Sequence, residues 1–281
     1  MAWRSHGKSH AELIENLRAN KQIKTQRVFD AMLAVDRGFF TVEGVDDPTN
    51  SYMDKPKPIG FGATISAPHM HAQMCELLAA RHPAAAPDST TTGSAALRVL
   101  DVGSGSGYLT AVLAELFGPG ARVVGVDHIP ELVERSRTAV RACRPGLLDS
   151  GRVRLELTDG REGYPAAAPF DIIHVGAAAP EMPPALCEQL APGGRMVVPV
   201  GAKGSMQRLV QVDKDAGGVL TESQISSVIF VPLTDSTSQL DKSKNSTKVS
   251  MLKLFLQHLA SEQEKGSKGG GAAGGGGGGG K

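Results

Sequence analysis

The chain has 281 residues, 41% of them hydrophobic, which is enough for one sizeable core. No apolar run approaches the ~20 residues of a membrane-spanning helix, and the opening MAWRSHGKSH has no apolar signal region. A soluble, cytoplasmic, monomeric protein without a membrane anchor is therefore expected. Cys75, Cys143 and Cys187 are widely spaced and form no CxxC pair, which argues against both a disulfide framework and a thiolate zinc site. The net charge of +1 is uneven: Thr237–Lys281 holds seven Lys against three acidic residues, and the rest of the chain 23 basic against 26 acidic. A slightly acidic body excludes a nucleic-acid-binding surface of the usual basic kind.

In chain order, Ser9 and Glu12 form an S-x-x-E capping box ahead of Leu13, Ile14 and Leu17. Thr25 precedes a second run with Val28, Phe29, Met32 and Leu33 at helical spacing. Residues 41–49 read as a polar loop. A third helix is expected to start near Ser66 and Pro68 and to run through Met74, Leu77 and Leu78. Proline suits its first position, where an N–H has no helical partner anyway. Residues 82–96, HPAAAPDSTTTGSAA, read as an inserted exposed loop.

From Leu97 the period changes. LRVLDV reads as a buried strand, GSGSG as a turn, and Leu109, Val112, Leu113, Leu116 and Phe117 as the apolar positions of a helix stopped at Gly118. ARVVGVD is a second strand, followed by a helix from Pro130 through Leu132, Val133 and Val140. RVRLELTD and FDIIHVGA are the third and fourth strands, PPALCEQLAPGG a helix ending in glycines, and RMVVPVG the fifth strand. LVQVDKD and ISSVIFVPL read as a closing antiparallel pair. The pattern predicts an α/β fold: a doubly wound, mostly parallel seven-stranded sheet with an N-terminal helical portion. Ligands on such a sheet bind at the carboxyl ends of the strands, near the switch point. One domain is expected over 1–240, made of a helical part (1–81), the inserted loop (82–96) and a ligand-binding core (97–240). The extension 241–265 could form a helix with Leu252, Phe255, Leu256 and Leu259 on one face. The tail 266–281 holds eleven of the 34 glycines and is expected to be disordered.

The strongest motif is Asp101-Val-Gly103-Ser104-Gly105-Ser106-Gly107, directly after a strand and directly before a helix. The dinucleotide fingerprint G-x-G-x-x-G fails, because its third position falls on Tyr108, and the phosphate-binding G-x-x-x-x-G-K-[ST] is absent. What remains, acidic-x-G-x-G-x-G, resembles the first motif of class I S-adenosylmethionine methyltransferases. That resemblance implies a Rossmann-like fold, with Asp101 and the turn Gly103–Gly107 at the cofactor. Asp127, followed by His128, ends the second strand 20 residues after Gly107, where a carboxylate can accept from both ribose hydroxyls. Asp159-Gly160 ends the third strand, where the family contacts adenine. The plainer readings are a strand-end turn residue for Asp127 and an ordinary D-G turn for Asp159.

The rest of the chain narrows the match. Ile59-GFGATISAPHMHA-Gln73, MAWRSHGKSHAELIENL, YMDKPKPIGF, LDVGSGSGYLTA, GVDHIPELV, FDIIHVGAAAP, LAPGGRMVVPVG and VPLTD closely resemble protein-L-isoaspartate O-methyltransferases, over nearly all of Met1 to about Asp235. The resemblance implies methyl transfer from S-adenosyl-L-methionine, leaving S-adenosyl-L-homocysteine, to the free α-carboxylate of L-isoaspartyl and D-aspartyl residues in damaged proteins and peptides. It makes Ser66 the active-site residue, beside the acceptor carboxylate, with a helix N-cap as its plainer reading. It brings Ala63, Thr64, Ile65, Ser66 and His71 to the cofactor, and Thr234 and Gln239 to the far end of the adenosyl site. No metal is expected, since His69 and His71 are two apart and face different sides of a helix. His174 reads as a strand-end histidine satisfied locally. Two other readings stay open. One is a class I methyltransferase for another carboxylate, a small molecule or nucleic acid, although GAAAPEMP stands where amino-methylating enzymes carry [ND]-P-P-[YFW]. The other is a non-enzymatic protein that kept the cofactor fold.

Overall fold

The computed structural model describes residues 5–42, 51–81, 96–202 and 204–240. Most of the polar loop, nearly all of the 82–96 insertion, the extension and the tail lie outside the described residues. The chain divides into two units, Met1–Ser236 and Thr237–Lys281, and the fold belongs to the first.

Each of the first two helices is capped by the side chain of the residue before it. Helix α1, His10–Ala19, starts at Ser9, whose Oγ accepts from the Glu12 N–H at 3.3 Å. The Glu12 carboxylate reaches one residue further back than in a standard capping box, accepting from the Lys8 N–H at 2.8 Å. Helix α2, Gln26–Ala34, starts at Thr25, which accepts from the Val28 N–H. A short antiparallel hairpin follows, β1 Lys57–Gly60 and β2 Ala63–Ile65, turned by Phe61 and Gly62 at φ 52 and 69. Helix α3 spans Pro68–Ala79.

The main sheet contains β3 Leu97–Val102, β4 Ala121–Asp127, β5 Val153–Leu157, β6 Phe170–Val175, β7 Leu190–Val200, β8 Gln207–Lys214 and β9 Leu220–Val228. Its seven strands run in the order β5-β4-β3-β6-β7-β8-β9. The first five are parallel, and β8 and β9 close the sheet antiparallel. The chain winds outward from β3 to β4 and β5, then crosses back to β6 on the other side. The carboxyl end of β3 is therefore the switch point.

Helix α4, Tyr108–Phe117, connects β3 to β4 and buries eight of its ten residues. A helix buried on all sides needs cover on all sides; α4 packs on β3 and β4 and is overlaid by α2 and α3. The sheet's other face holds a second apolar cluster that includes Leu100, Val102, Val124, Val126, Ile173 and Val198, with Leu186 from α7, Pro184–Gln189. Helix α5, Pro130–Cys143, connects β4 toward β5, through a one-and-a-half-turn helix α6, Pro145–Asp149, that the sequence pattern does not reveal. No helix among the described residues is long and apolar enough to cross a membrane.

Two strand boundaries differ from expectation. The segment LAPGG belongs to β7 and not to the preceding helix, with a register shift opposite Phe170–Ile172 that absorbs Pro192 and the two glycines. The last strand begins at Leu220, before the apolar run, and ends at Val228.

Candidate active site

The glycine turn sits at the switch point, and its shape explains its sequence. Gly103, Gly105 and Gly107 all have positive φ, at 72, 53 and 81. Such backbone costs a side-chain-bearing residue about 1–2 kcal/mol. The Gly103 and Ser104 N–H groups both donate to the Val126 carbonyl, at 2.9 and 3.0 Å, so the turn folds over the end of β4. The Ser104 Oγ is buried and has no hydrogen-bond partner among the described residues.

Asp127 closes the turn from below. Its Oδ2 accepts from the Gly105 N–H and its Oδ1 from the Ile129 N–H, each at 3.0 Å. A carboxylate offers about four lone-pair sites, so two are left for hydroxyl donors. Burial pushes the Asp127 carboxyl above the usual carboxylate range, outweighing the Ile129 and Gly105 hydrogen bonds that favour its charge.

Asp101 lies at the end of β3, with both carboxylate oxygens engaged. It is 1% exposed. Its Oδ1 pairs with the His174 Nδ1 at 2.8 Å and its Oδ2 accepts from the Thr110 Oγ1 at 2.5 Å. With one partner on α4 and one on β6, it braces the turn from inside the sheet. His174 is thereby satisfied locally, as the sequence suggests. The Asp159 carboxylate is likewise engaged, by the Arg161 backbone N–H and guanidinium. Any adenine contact there shares that carboxylate with Arg161 or uses backbone.

The hairpin and α3 bring in the other predicted residues. Arg135 of α5 donates to the Ile59 carbonyl at 2.9 Å, and the Ile59 side chain lies against Gly105. The Ala63–Ile65 strand is thus tied beside the turn. His71 lies with its ring centroid 4.9 Å from that of Tyr108, the first residue of α4. It is buried, and its Nδ1 has no hydrogen-bond partner among the described residues. Burial, followed by the nearby Arg37 charge, holds the His71 imidazole well below its ordinary value, so it is neutral. His69 turns instead to Asp54, its Nδ1 lying 2.7 Å from the Asp54 Oδ1. Thr234 follows a segment tied to Ala178 by two backbone hydrogen bonds, which sets it near the carboxyl end of β6. His128 follows Asp127 directly. Gln239 lies in the second unit, and its assignment rests on resemblance alone.

Ser66 sits between β2 and α3, but it is not the cap of that helix. The cap is Ala67, which offers no side-chain hydrogen bond. The missing cap is supplied from a distance. The Asp54 Oδ1 accepts from both the His69 N–H at 2.9 Å and the His69 Nδ1 at 2.7 Å. Burial alone would raise the Asp54 carboxyl, but the His69 hydrogen bonds outweigh it and hold the group below the usual range. Spacing could not reveal this residue, because the contact joins positions 15 apart across the hairpin. Arg37 also escaped the sequence reading. It is fully buried, its Nε and Nη1 have no hydrogen-bond partner among the described residues, and it lies over the Tyr108 ring at 5.7 Å. Burial pulls its guanidinium down to about 10.

These residues suit an adenosylated amino acid: unspent acceptor capacity for ribose at Asp127, and buried unsatisfied polar atoms at Ser104 and His71 for polar groups of the ligand. The sequence profile described as "Protein-L-isoaspartate(D-aspartate) O-methyltransferase (PCMT)" matches residues 8–238. A protein-L-isoaspartate O-methyltransferase of Triticum aestivum is 47% identical over 232 residues, 82% of this chain and 94% of the relative. One from Caenorhabditis elegans is 43% identical over 242 residues, 86% of this chain and 100% of the relative. Among solved structures, the fold is similar to a beta-aspartate methyltransferase (PCMT) of Plasmodium falciparum in complex with S-adenosyl-L-homocysteine, with a TM-score of 0.69 and 30% identity, covering 81% of this chain and 99% of that one.

Proposed function

The chain belongs to the protein-L-isoaspartate(D-aspartate) O-methyltransferase family, and from that premise we propose that it methylates the free α-carboxylate of L-isoaspartyl, and D-aspartyl, residues in damaged proteins and peptides, using S-adenosyl-L-methionine. What supports this reading is the glycine turn with the Asp127 carboxylate bound to its Gly105 N–H, and His71 of α3 packed on Tyr108 at the end of that turn, with Ser66 two residues ahead of the helix.

When bound, S-adenosyl-L-methionine supplies a methyl group made electrophilic by a sulfonium. The acceptor carboxylate has a pKa of about 4 and is already ionised at neutral pH, so no general base is needed. The chain's task is to bind, orient and keep water out. The Gly103–Gly107 backbone and Asp127 hold the nucleoside end, and His71 and Ser104 present buried polar atoms to the amino-acid end. Ser66 directs its hydroxyl to the acceptor carboxylate. Good orientation can supply roughly 7–11 kcal/mol of barrier reduction. The ester formed is a better electrophile than the carboxylate. Without the enzyme, a backbone amide nitrogen attacks the ester carbonyl and expels methanol to close a succinimide, and its hydrolysis returns some normal aspartyl peptide.

The direct test is methyl transfer to an isoaspartyl peptide beside its aspartyl twin; equal labelling of both would refute the reading. Ser66→Ala is expected to lower kcat at least tenfold, because one hydrogen bond to a charged group contributes about 1.5–3 kcal/mol. As Ser66 caps no helix, the melting temperature should stay near wild type. A loss of stability with full turnover per folded molecule would reverse the assignment. Truncation after Leu240 is expected to leave a folded, active enzyme, since every residue assigned to the cofactor or the acceptor lies before that point. A soluble 1–240 protein without methyl transfer would show that the extension belongs to the site.

A further inference from the structure

We infer that Asp54 is a positioning residue for methyl transfer: from the hairpin side it fixes the first turn of α3, and with it the placement of Ser66 relative to the cofactor site. The inference rests on the active-site reading of Ser66 and deepens it.

A helix start leaves backbone N–H groups without helical partners. At α3 the one N–H of the first three helical residues that finds its acceptor outside the helix start finds it at Asp54. Pro68 has no N–H, and the Met70 and His71 N–H groups donate to the Ala67 carbonyl. The His69 N–H donates to the Asp54 Oδ1. The cap residue Ala67 contributes nothing from its side chain, so the anchor comes from outside the helix. Asp54 is 1% exposed, and an ionised carboxylate in that setting needs partners. It accepts from His69 twice, which puts the His69 proton on Nδ1 and locks the imidazole against the same carboxylate. Its negative charge also lies at the positive end of the helix dipole.

Asp54 is itself held firmly. Its own N–H donates to the His6 Nδ1 at 3.0 Å, and the Tyr52 carbonyl accepts from the Gly7 N–H at 3.0 Å. The Lys55 carbonyl accepts from the Arg37 guanidinium at 3.4 Å. The N-terminal segment, the 51–55 stretch and α3 thus form one braced unit with Asp54 at its centre. Ser66 precedes His69 by three residues, and His71 follows it by two, packed on Tyr108 at the glycine turn. A shift of the first turn of α3 would move the Ser66 end, while the Tyr108 contact would hold the His71 end. The acceptor side should therefore lose its alignment before the cofactor side does.

The test is a double-mutant cycle. Asp54→Ala is expected to lower kcat for an isoaspartyl peptide by roughly tenfold to a hundredfold, as displacements of about 1 Å can do. Affinity for S-adenosyl-L-homocysteine, read by calorimetry, should stay within about threefold of wild type. Asp54→Asn, which can still accept from the His69 N–H, should recover part of the loss. If Asp54 acts through Ser66, Asp54→Ala combined with Ser66→Ala should lose little more kcat than the worse single variant, because residues acting as a unit are not additive. If Asp54→Ala does not fold, Asp54→Asn carries the same cycle. Additive losses, or an Asp54 variant with wild-type kcat, would overturn the inference and leave the Ser66 reading standing. A Ser66→Ala enzyme with wild-type kcat would overturn both.

Discussion

Replacing Asp127 by Ala is expected to weaken binding of S-adenosyl-L-homocysteine by two to three orders of magnitude. In the proposed complex the carboxylate accepts from both ribose hydroxyls, and two hydrogen bonds to a charged group together contribute roughly 3–4 kcal/mol. The structure adds a second expectation. Asp127 also accepts from Gly105 and Ile129, so Asp127→Ala strips two backbone donors of their acceptor and should lower stability as well. Asp127→Asn, which keeps one acceptor oxygen, is the cleaner probe of the ligand. The pH dependence follows from the raised carboxyl. Only the ionised form can accept four hydrogen bonds, so affinity should fall as the pH drops through that raised value. The ligand-free fold responds in the opposite sense. A group whose folded pKa is raised contributes stability below its unfolded pKa and loses it as pH rises through the folded one. Calorimetric titration across the acid range should thus show affinity falling for wild type and nearly level for Asp127→Asn. Parallel curves for the two proteins would place the titration elsewhere.

The parts of this fold that could be read from sequence are those where local chemistry and tertiary role coincide. Ser9 and Thr25 cap helices because their side chains compete for backbone N–H groups wherever they stand. The three turn glycines were visible because each meets a positive φ that other residues pay to adopt. Asp127 was legible through its distance from the turn, which measures one helix and one strand. Other features were set by partners far along the chain. LAPGG looks like a helix end, yet Leu190 pairs with Phe170 and carries the segment into β7. The first residues of β9, LTESQ, show no apolar alternation, because that strand edges the sheet and is exposed over most of its length. Asp101 is legible from its motif, but its pairing with His174 depends on the register that sets the two opposite each other. The role of Asp54 depends on a contact no local window contains.

Gly107→Ala is expected to be the most damaging single-methyl change in the turn, and two separate terms account for it. The first is conformational, since φ of 81 at Gly107 costs any L side chain about 1–2 kcal/mol. The second is steric. A Cβ at Gly107 would stand 2.9 Å from the Ser136 Cβ and 3.4 Å from the Val140 Cγ2 on α5. Ser136 is fully buried and donates its hydroxyl to the Val133 carbonyl at 2.7 Å, so it has no room to retreat. Overpacking of this kind adds about 1–3 kcal/mol. Together they should lower the melting temperature by about 5–15 °C, at roughly 2–4 °C per kcal/mol for a domain of this size. Gly151→Ala separates the terms, because Gly151 has φ of 68 but nothing within 4 Å of its would-be Cβ. It should show the conformational cost alone. If the two variants melt together, contact with α5 contributes nothing, and the glycine at 107 is required for its backbone only. If Gly107→Ala melts several degrees lower and also loses affinity for S-adenosyl-L-homocysteine, the seating of α4 against α5 is what holds the turn in its cofactor-binding shape.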